Sequence, residues 1–365
     1  MKLSLIYHQF VRRGGLENYL FEFTRHLLER GHEVELVGAQ FSPEAERLGA
    51  SIRRIKFVSW SSMLRLWKFD QEAASLAPTL ESDARIGFGR TTVQDLHRAG
   101  GGCHKVYSRL LPVHKRIRPK NLLELRLEEQ LYTQGLTKYF VVNSQNVFRQ
   151  IHDEYGVEED RINVIHTAVD LGRFRPAETP GERQVVRRSE GGLPVFLFVS
   201  LDHKRKGLDR ILQVWPEVDA DLWILGAPLD GHSRRLIRER ALGSRIHWIG
   251  RVSDAAPYYR SADFYLHPSL YDACANSSLQ AMASALPSII SSADGASEFV
   301  SDGVSGFVLR SPEDAAELYR TVNQALRLSP GQRQAMGRKG QERMRPLTWQ
   351  AHVEKWEALI YRIRG

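Results

Sequence analysis

Asp272 and Gln280 stand at two ends of one small-residue stretch, Tyr271–Pro287 (YDACANSSLQAMASALP). The acid follows an apolar run, Phe264–Leu266, that reads as a strand, and the amide falls about two helical turns further on. An acid before a helix and an amide at its second turn can face one crevice. Ala273, Cys274, Ala275 and Asn276 lie between them and are expected to leave backbone N–H groups free at the helix start, where a phosphate binds well. Such a stretch can hold a sugar at one end, a diphosphate in the middle and a ribose at the other.

A second group sits further back in the chain. Lys204, Arg205 and Lys206 precede Gly207 and a helical segment. Three cations ahead of a helix suit a diphosphate, and Lys206, next to the glycine, is the preferred contact. Cations held there would also stabilise a nucleotide diphosphate as it leaves a sugar, so no metal is expected. Asp219-Ala220-Asp221 precedes a strand, away from the expected ligand end, and reads as a solvated turn. The chemistry implied is sugar transfer from a nucleotide sugar, with no other cofactor.

A third group surrounds Gly100-Gly101-Gly102. Asp95, His97 and His104 flank these glycines, and the segment reads as a polar loop lining a cleft. Residues 105–126 then interleave Lys105, Arg109, Lys115, Arg116, Arg118 and Arg126 with Leu110, Val113, Ile117 and Leu122. Cations among apolar anchors fit an anionic membrane surface. Nucleic acid is not expected as a partner, because only Tyr107 offers a ring among the basic residues.

These groups need a scaffold. The 365 residues are 42% hydrophobic with a net charge of +8, ordinary for a soluble chain that favours anionic partners. No apolar run approaches the ~20 residues of a membrane span. MKLSLIYHQF reads as a first buried strand rather than a secretory signal. Cys103 and Cys274 offer no disulfide framework, which favours a reducing cytoplasm. Strand, Gly14-Gly15 and a helical run from Leu16 lay out a turn that approaches a ligand, without the full dinucleotide fingerprint. Strands and helices alternate up to about 176, residues 177–192 read as a linker, and the alternation restarts at Val195. The fold class expected is α/β, with two doubly wound Rossmann-like domains, 1–176 and 177–345, facing a central cleft.

In the order and spacing of its motifs the chain resembles family 4 of the retaining glycosyltransferases, with the GT-B architecture. The motifs are Gly14-Gly15, Asn143-Ser144, His166–Phe174, Arg205-Lys206-Gly207, Gly250-Arg251, Asp272–Pro287, Asp302-Gly303 and Gly306-Phe307. Within that family the Asp202–Arg210 and Asp95–His104 segments look most like the lipopolysaccharide-core enzymes. The resemblance implies a donor site in the second domain. Asp272 would hold the sugar, Gln280 the ribose, and Lys206 with Arg205 the diphosphate. Gly15 would lie under the phosphate or reacting sugar, and Asp95, His97 or His104 near the acceptor hydroxyl. It also implies a glycan or lipid-linked glycan acceptor, work at the inner face of the cytoplasmic membrane, and a helix over 346–365 packing back on the first domain. Where the family usually carries two glutamates this chain has Asp272 and Gln280. A nucleotide-sugar-binding subunit that supports a partner transferase is therefore the alternative reading.

Overall fold

The computed structural model describes residues 1–186 and 192–364. Residues 187–191 of the expected linker lie outside the described residues, as does the last residue of the expected C-terminal helix. The chain divides into two compact units. The first is Met1–Thr167 together with the chain from Trp349 onward, and the second is Ala168–Thr348.

In the first unit, seven strands form one parallel sheet. They are β1 (Lys2–Ile6), β2 (Glu33–Gly38), β3 (Ser51–Arg54), β4 (Ala84–Gly87), β5 (Leu96–Arg98), β6 (Tyr139–Val142) and β7 (Ile162–Val164), in the order β3-β2-β1-β4-β5-β6-β7. The order reverses between β1 and β4, which opens a crevice at their carboxyl ends. The Gly15–Glu29 helix packs Tyr19, Leu20, Phe23 and Leu27 on one face of the sheet. The Trp349–Arg364 helix joins the same core through Val353, Trp356, Leu359 and Ile360. His352 Nε2 lies 2.8 Å from the Tyr19 hydroxyl, and Arg30 makes two bonds of 2.8 and 2.7 Å to Glu357.

The second unit repeats the plan. Its strands are β8 (Val195–Ser200), β9 (Asp221–Gly226), β10 (Ile246–Gly250), β11 (Phe264–His267), β12 (Ser288–Ser291) and β13 (Phe307–Leu309). All pair in parallel, in the order β10-β9-β8-β11-β12-β13, so the reversal falls between β8 and β11. Phe196 and Phe198 bury on one face of β8, Val195 and Leu197 on the other. That is why this strand reads as a continuous apolar run.

Three details differ from expectation. Residues 168–176 lie with the second unit instead of the first, because Val169 and Phe174 pack into its core and Val169 N–H donates to the Leu347 carbonyl at 2.8 Å. Part of the expected linker is a short helix, Pro180–Gln184, capped by Thr179. Residues 96–98, read as loop, are strand β5. Its three side chains are all buried, and a three-residue strand carrying His and Arg gives no apolar alternation to detect.

Candidate active site

The residues at the second unit's reversal point are brought together by a tight turn. Asp202, just after β8, caps the short His203–Lys206 helix by accepting the Arg205 N–H at 3.3 Å. Gly207 ends that helix at φ +92°, a left-handed conformation that favours glycine. A Cβ there would stand 2.3 Å from the Pro268 carbonyl oxygen. Glycine therefore lets the turn press against the chain leaving β11.

That contact puts Lys206 against Asp272. The Lys206 ammonium, nearly buried, donates to Asp272 Oδ2 and lies 3.3 Å from His267 Nε2. Arg205 approaches the same carboxylate at 3.5 Å and donates to the Tyr271 carbonyl at 2.9 Å. His267, the last residue of β11, is fully buried, with its other ring nitrogen 3.1 Å from the Tyr265 hydroxyl. That hydroxyl donates to Ser277 at 2.8 Å. With Lys206 donating to Nε2, the imidazole is the neutral tautomer protonated at Nδ1. Burial, with Lys206 and Arg205 adding to it, holds His267 well below the usual histidine range. Burial likewise pulls the Lys206 ammonium down to about 7, Arg205 adds to the effect, and Asp294 opposes it.

Asp294 completes the cluster. It is fully buried, its Oδ2 lies 3.7 Å from His267 Nε2, and burial raises its pKa. One oxygen accepts the N–H groups of Ala275 and Ala296 at 2.9 and 3.0 Å, and the other accepts the Ser278 hydroxyl at 2.8 Å. This corrects one expectation: the Ala275 N–H is not free for a phosphate, because the buried Asp294 has taken it. Ala273, Cys274 and Ala275 are themselves buried, beside Asp272 in the chain. The Asn276–Ala283 helix keeps Asn276, Ser277 and Gln280 half-buried along one face. Gln280 Oε1 accepts the Tyr259 hydroxyl at 3.2 Å, which leaves the amide N–H groups as the side chain's donors.

In the first unit, Asp95, His97 and His104 do not converge. Asp95 immediately precedes β5, at the amino end of the sheet. There it pairs with Arg85 at 2.8 Å, and its backbone carbonyl accepts the Lys138 N–H at 2.9 Å. It ties strand beginnings together, away from the crevice. His97 is buried within β5 against the Tyr132 ring, and burial pulls it down to about 3. His104 follows the other end of β5, where it sits 2.9 Å from Asn121 Oδ1 and 3.3 Å from Glu124. Gly15 opens the Gly15–Glu29 helix, whose capping position Gly14 is extended. It lies after β1, at the first unit's own reversal point. His8 and Glu17 share that place and were passed over in the sequence. Glu17 is buried and accepts from Tyr7 and Gln9, both at 3.1 Å, while burial pulls His8 down to about 4.

The sequence reading also missed His267 and Asp294. A histidine closing an otherwise apolar strand, directly before the Asp272 turn, is the signal that was available.

Comparison with known proteins agrees with this layout. Residues 13–173 match the model of Glycosyltransferase Family 4, and residues 193–327 match Glycosyl transferases group 1. A D-inositol 3-phosphate glycosyltransferase of Geodermatophilus obscurus is 28% identical over 356 residues, spanning 85% of this chain and 77% of its own. Among solved structures, WaaG, a glycosyltransferase involved in lipopolysaccharide biosynthesis, superposes with a TM-score of 0.85. The match is 18% identical and covers 98% of this chain and 99% of WaaG. Anabaena HepE in complex with UDP-glucose superposes at 0.76, with 16% identity over 98% of this chain and 100% of its own. With two doubly wound units, each carrying one of these models, the chain is a glycosyltransferase of the family 4 and group 1 type with the GT-B fold.

Proposed function

We propose that the chain moves a hexose from a nucleotide diphosphate sugar to a lipid-linked or lipopolysaccharide-core glycan, with retention at the anomeric carbon and without a metal. The observation that carries this reading is the contact of Lys206 and Arg205 with Asp272 at the carboxyl ends of β8 and β11. A charged Lys206 has three N–H bonds. Asp272 and His267 take two, and the third serves the donor's diphosphate. Arg205 shares the developing negative charge. Asp272 holds the sugar hydroxyls, and the amide of Gln280 meets the ribose. The anomeric carbon–oxygen bond to phosphate breaks as the acceptor oxygen attaches from the same face. The acceptor's proton passes to the departing phosphate oxygen, so no dedicated protein base is needed. The named likenesses to WaaG and to a UDP-glucose complex support the acceptor class and the donor class respectively.

The same proposal places the protein at the inner face of the cytoplasmic membrane through residues 105–126. Leu110, Val113, Ile117 and Leu122 are all about half exposed or more. Lys105 and Arg109 both pair with Glu154, which leaves Lys115, Arg118 and Arg126 as the cations better placed for lipid phosphates. Among the described residues no helix is long and apolar enough to cross a membrane.

The test is a thermal-shift panel of nucleotide diphosphate sugars, followed by transfer to lipopolysaccharide-core acceptors in EDTA with the product anomer read by NMR. Stabilisation by one donor and a product of unchanged anomeric configuration are expected. An inverted product, or activity abolished by EDTA and restored by a divalent ion, contradicts the proposal.

A further inference from the structure

The second unit carries a cavity of about 860 Å³ that none of the chemistry above uses. It lies at the amino ends of the strands. Asp263 and Pro287 line it, and these residues directly precede β11 and β12. His267 ends β11 and Asp272 follows it, so a four-residue strand, roughly 13 Å long, separates the cavity from the candidate donor site.

Five arginines line it, Arg183, Arg260, Arg333, Arg338 and Arg345, against three carboxylates. Asp263 is the buried one. It takes Arg183 and Arg333 on one oxygen and the Val195 N–H, at 2.9 Å, on the other. One carboxylate thus serves two guanidiniums and fixes their positions without neutralising both. Glu178 is engaged at 3.3 Å by Arg175, outside the lining. Arg260 donates to the Arg173 carbonyl at 3.2 Å, and its buried Nε has no acceptor among the described residues. The side chains of Arg338 and Arg345 make no ion pair or hydrogen bond among the described residues. They share one face of the Pro330–Met344 helix and its cap with Gln334 and Gln341. That helix is pinned: a Cβ on Gly337 would stand 1.9 Å from the Ala285 carbonyl oxygen.

Five arginines against three carboxylates leave this half-open cleft with an excess of positive charge, which attracts an anion. Planar guanidinium forks match phosphate oxygens in pairs. A bare phosphate fills only a small part of this volume, whereas the volume is that of a pocket for an organic molecule. Pro176, Pro180, Leu286 and Pro287 supply apolar wall for the body of such a molecule. We propose that this cavity is a second ligand site, separate from the donor site, for a small phosphorylated molecule of the sugar-phosphate class.

The test is calorimetric titration of the full chain with glucose 6-phosphate, with inorganic phosphate as competitor. Binding of one equivalent is expected in the wild type and in Lys206→Ala, which alters the donor site. The double variant R338A/R345A should bind about 100-fold more weakly, since two charge-assisted bonds are lost. Its unfolding midpoint should not move, because both side chains are exposed. No binding by the wild type at millimolar concentration, retained affinity in R338A/R345A, or loss of affinity in Lys206→Ala overturns the proposal.

Discussion

Lys206 is held between opposing demands. Burial favours its neutral amine, whereas a bound diphosphate favours the ammonium. In the free chain its pKa lies at about 7, and a diphosphate beside it raises that value. Above pH 7, donor binding must therefore take up a proton. Donor affinity should be level below pH 7 and fall above it, by up to about tenfold per pH unit. The diester diphosphate of a nucleotide sugar does not titrate in this range, so calorimetry between pH 6 and 9 isolates the lysine. An affinity flat across that span removes the assignment. At Gln280, a glutamate keeps one oxygen for the Tyr259 hydroxyl and gains a second for a ribose hydroxyl. Gln280→Glu should tighten donor binding by about 3- to 10-fold, as a charge-assisted bond replaces a neutral one. Unchanged or weaker binding means the amide does not meet the ribose. The meeting of Lys206 and Arg205 with Asp272 was legible because a basic run and an acid stand out around small residues. Asp294 and His267 were not, because their meaning lies in burial, which only the folded sheet reveals.

Single elements explain the larger misreading in the first unit. Strand β5 is three residues long and polar in two of them, so Asp95, His97 and Arg98 looked like a loop beside a triple glycine. Once β5 is a strand, Asp95 and His104 fall at its opposite ends and cannot share one substrate atom. The basic segment reads more clearly in the structure. Leu110, Val113, Ile117 and Leu122 are exposed around the Val113–Arg116 helix and the start of the Pro119–Thr133 helix, while part of the positive charge is spent on Glu154. Replacing Lys115, Arg118 and Arg126 with Glu should weaken binding to anionic vesicles by at least about tenfold, at about 1 kcal/mol per cation. Co-sedimentation with phosphatidylglycerol vesicles measures this. Equal binding by wild type and variant makes the segment an ordinary solvated surface.

At the scale of the molecule, the alternation of strands and helices announced two doubly wound units, and both sheets have the strand order that opens a crevice at its reversal. The exact division was less legible. Residues 168–176 carry no linker signature, yet Val169 and Phe174 bury in the second core. The helix from Trp349 belongs to the first unit, and its Trp356 is fully buried in that core. Trp356→Ala should cost about 3–5 kcal/mol in chemical denaturation, followed by probes in the first unit. A loss below about 1 kcal/mol would mean the helix contributes little there.

In the function proposed above, a fixed lysine in the second unit, held at the ends of β8 and β11, grips the donor's diphosphate. The direct measurement compares wild type and Lys206→Ala for binding of a nucleoside and of its diphosphate sugar. The variant is expected to keep its affinity for the nucleoside and to lose at least about tenfold for the diphosphate sugar. Equal affinity of the two proteins for the diphosphate sugar would contradict it.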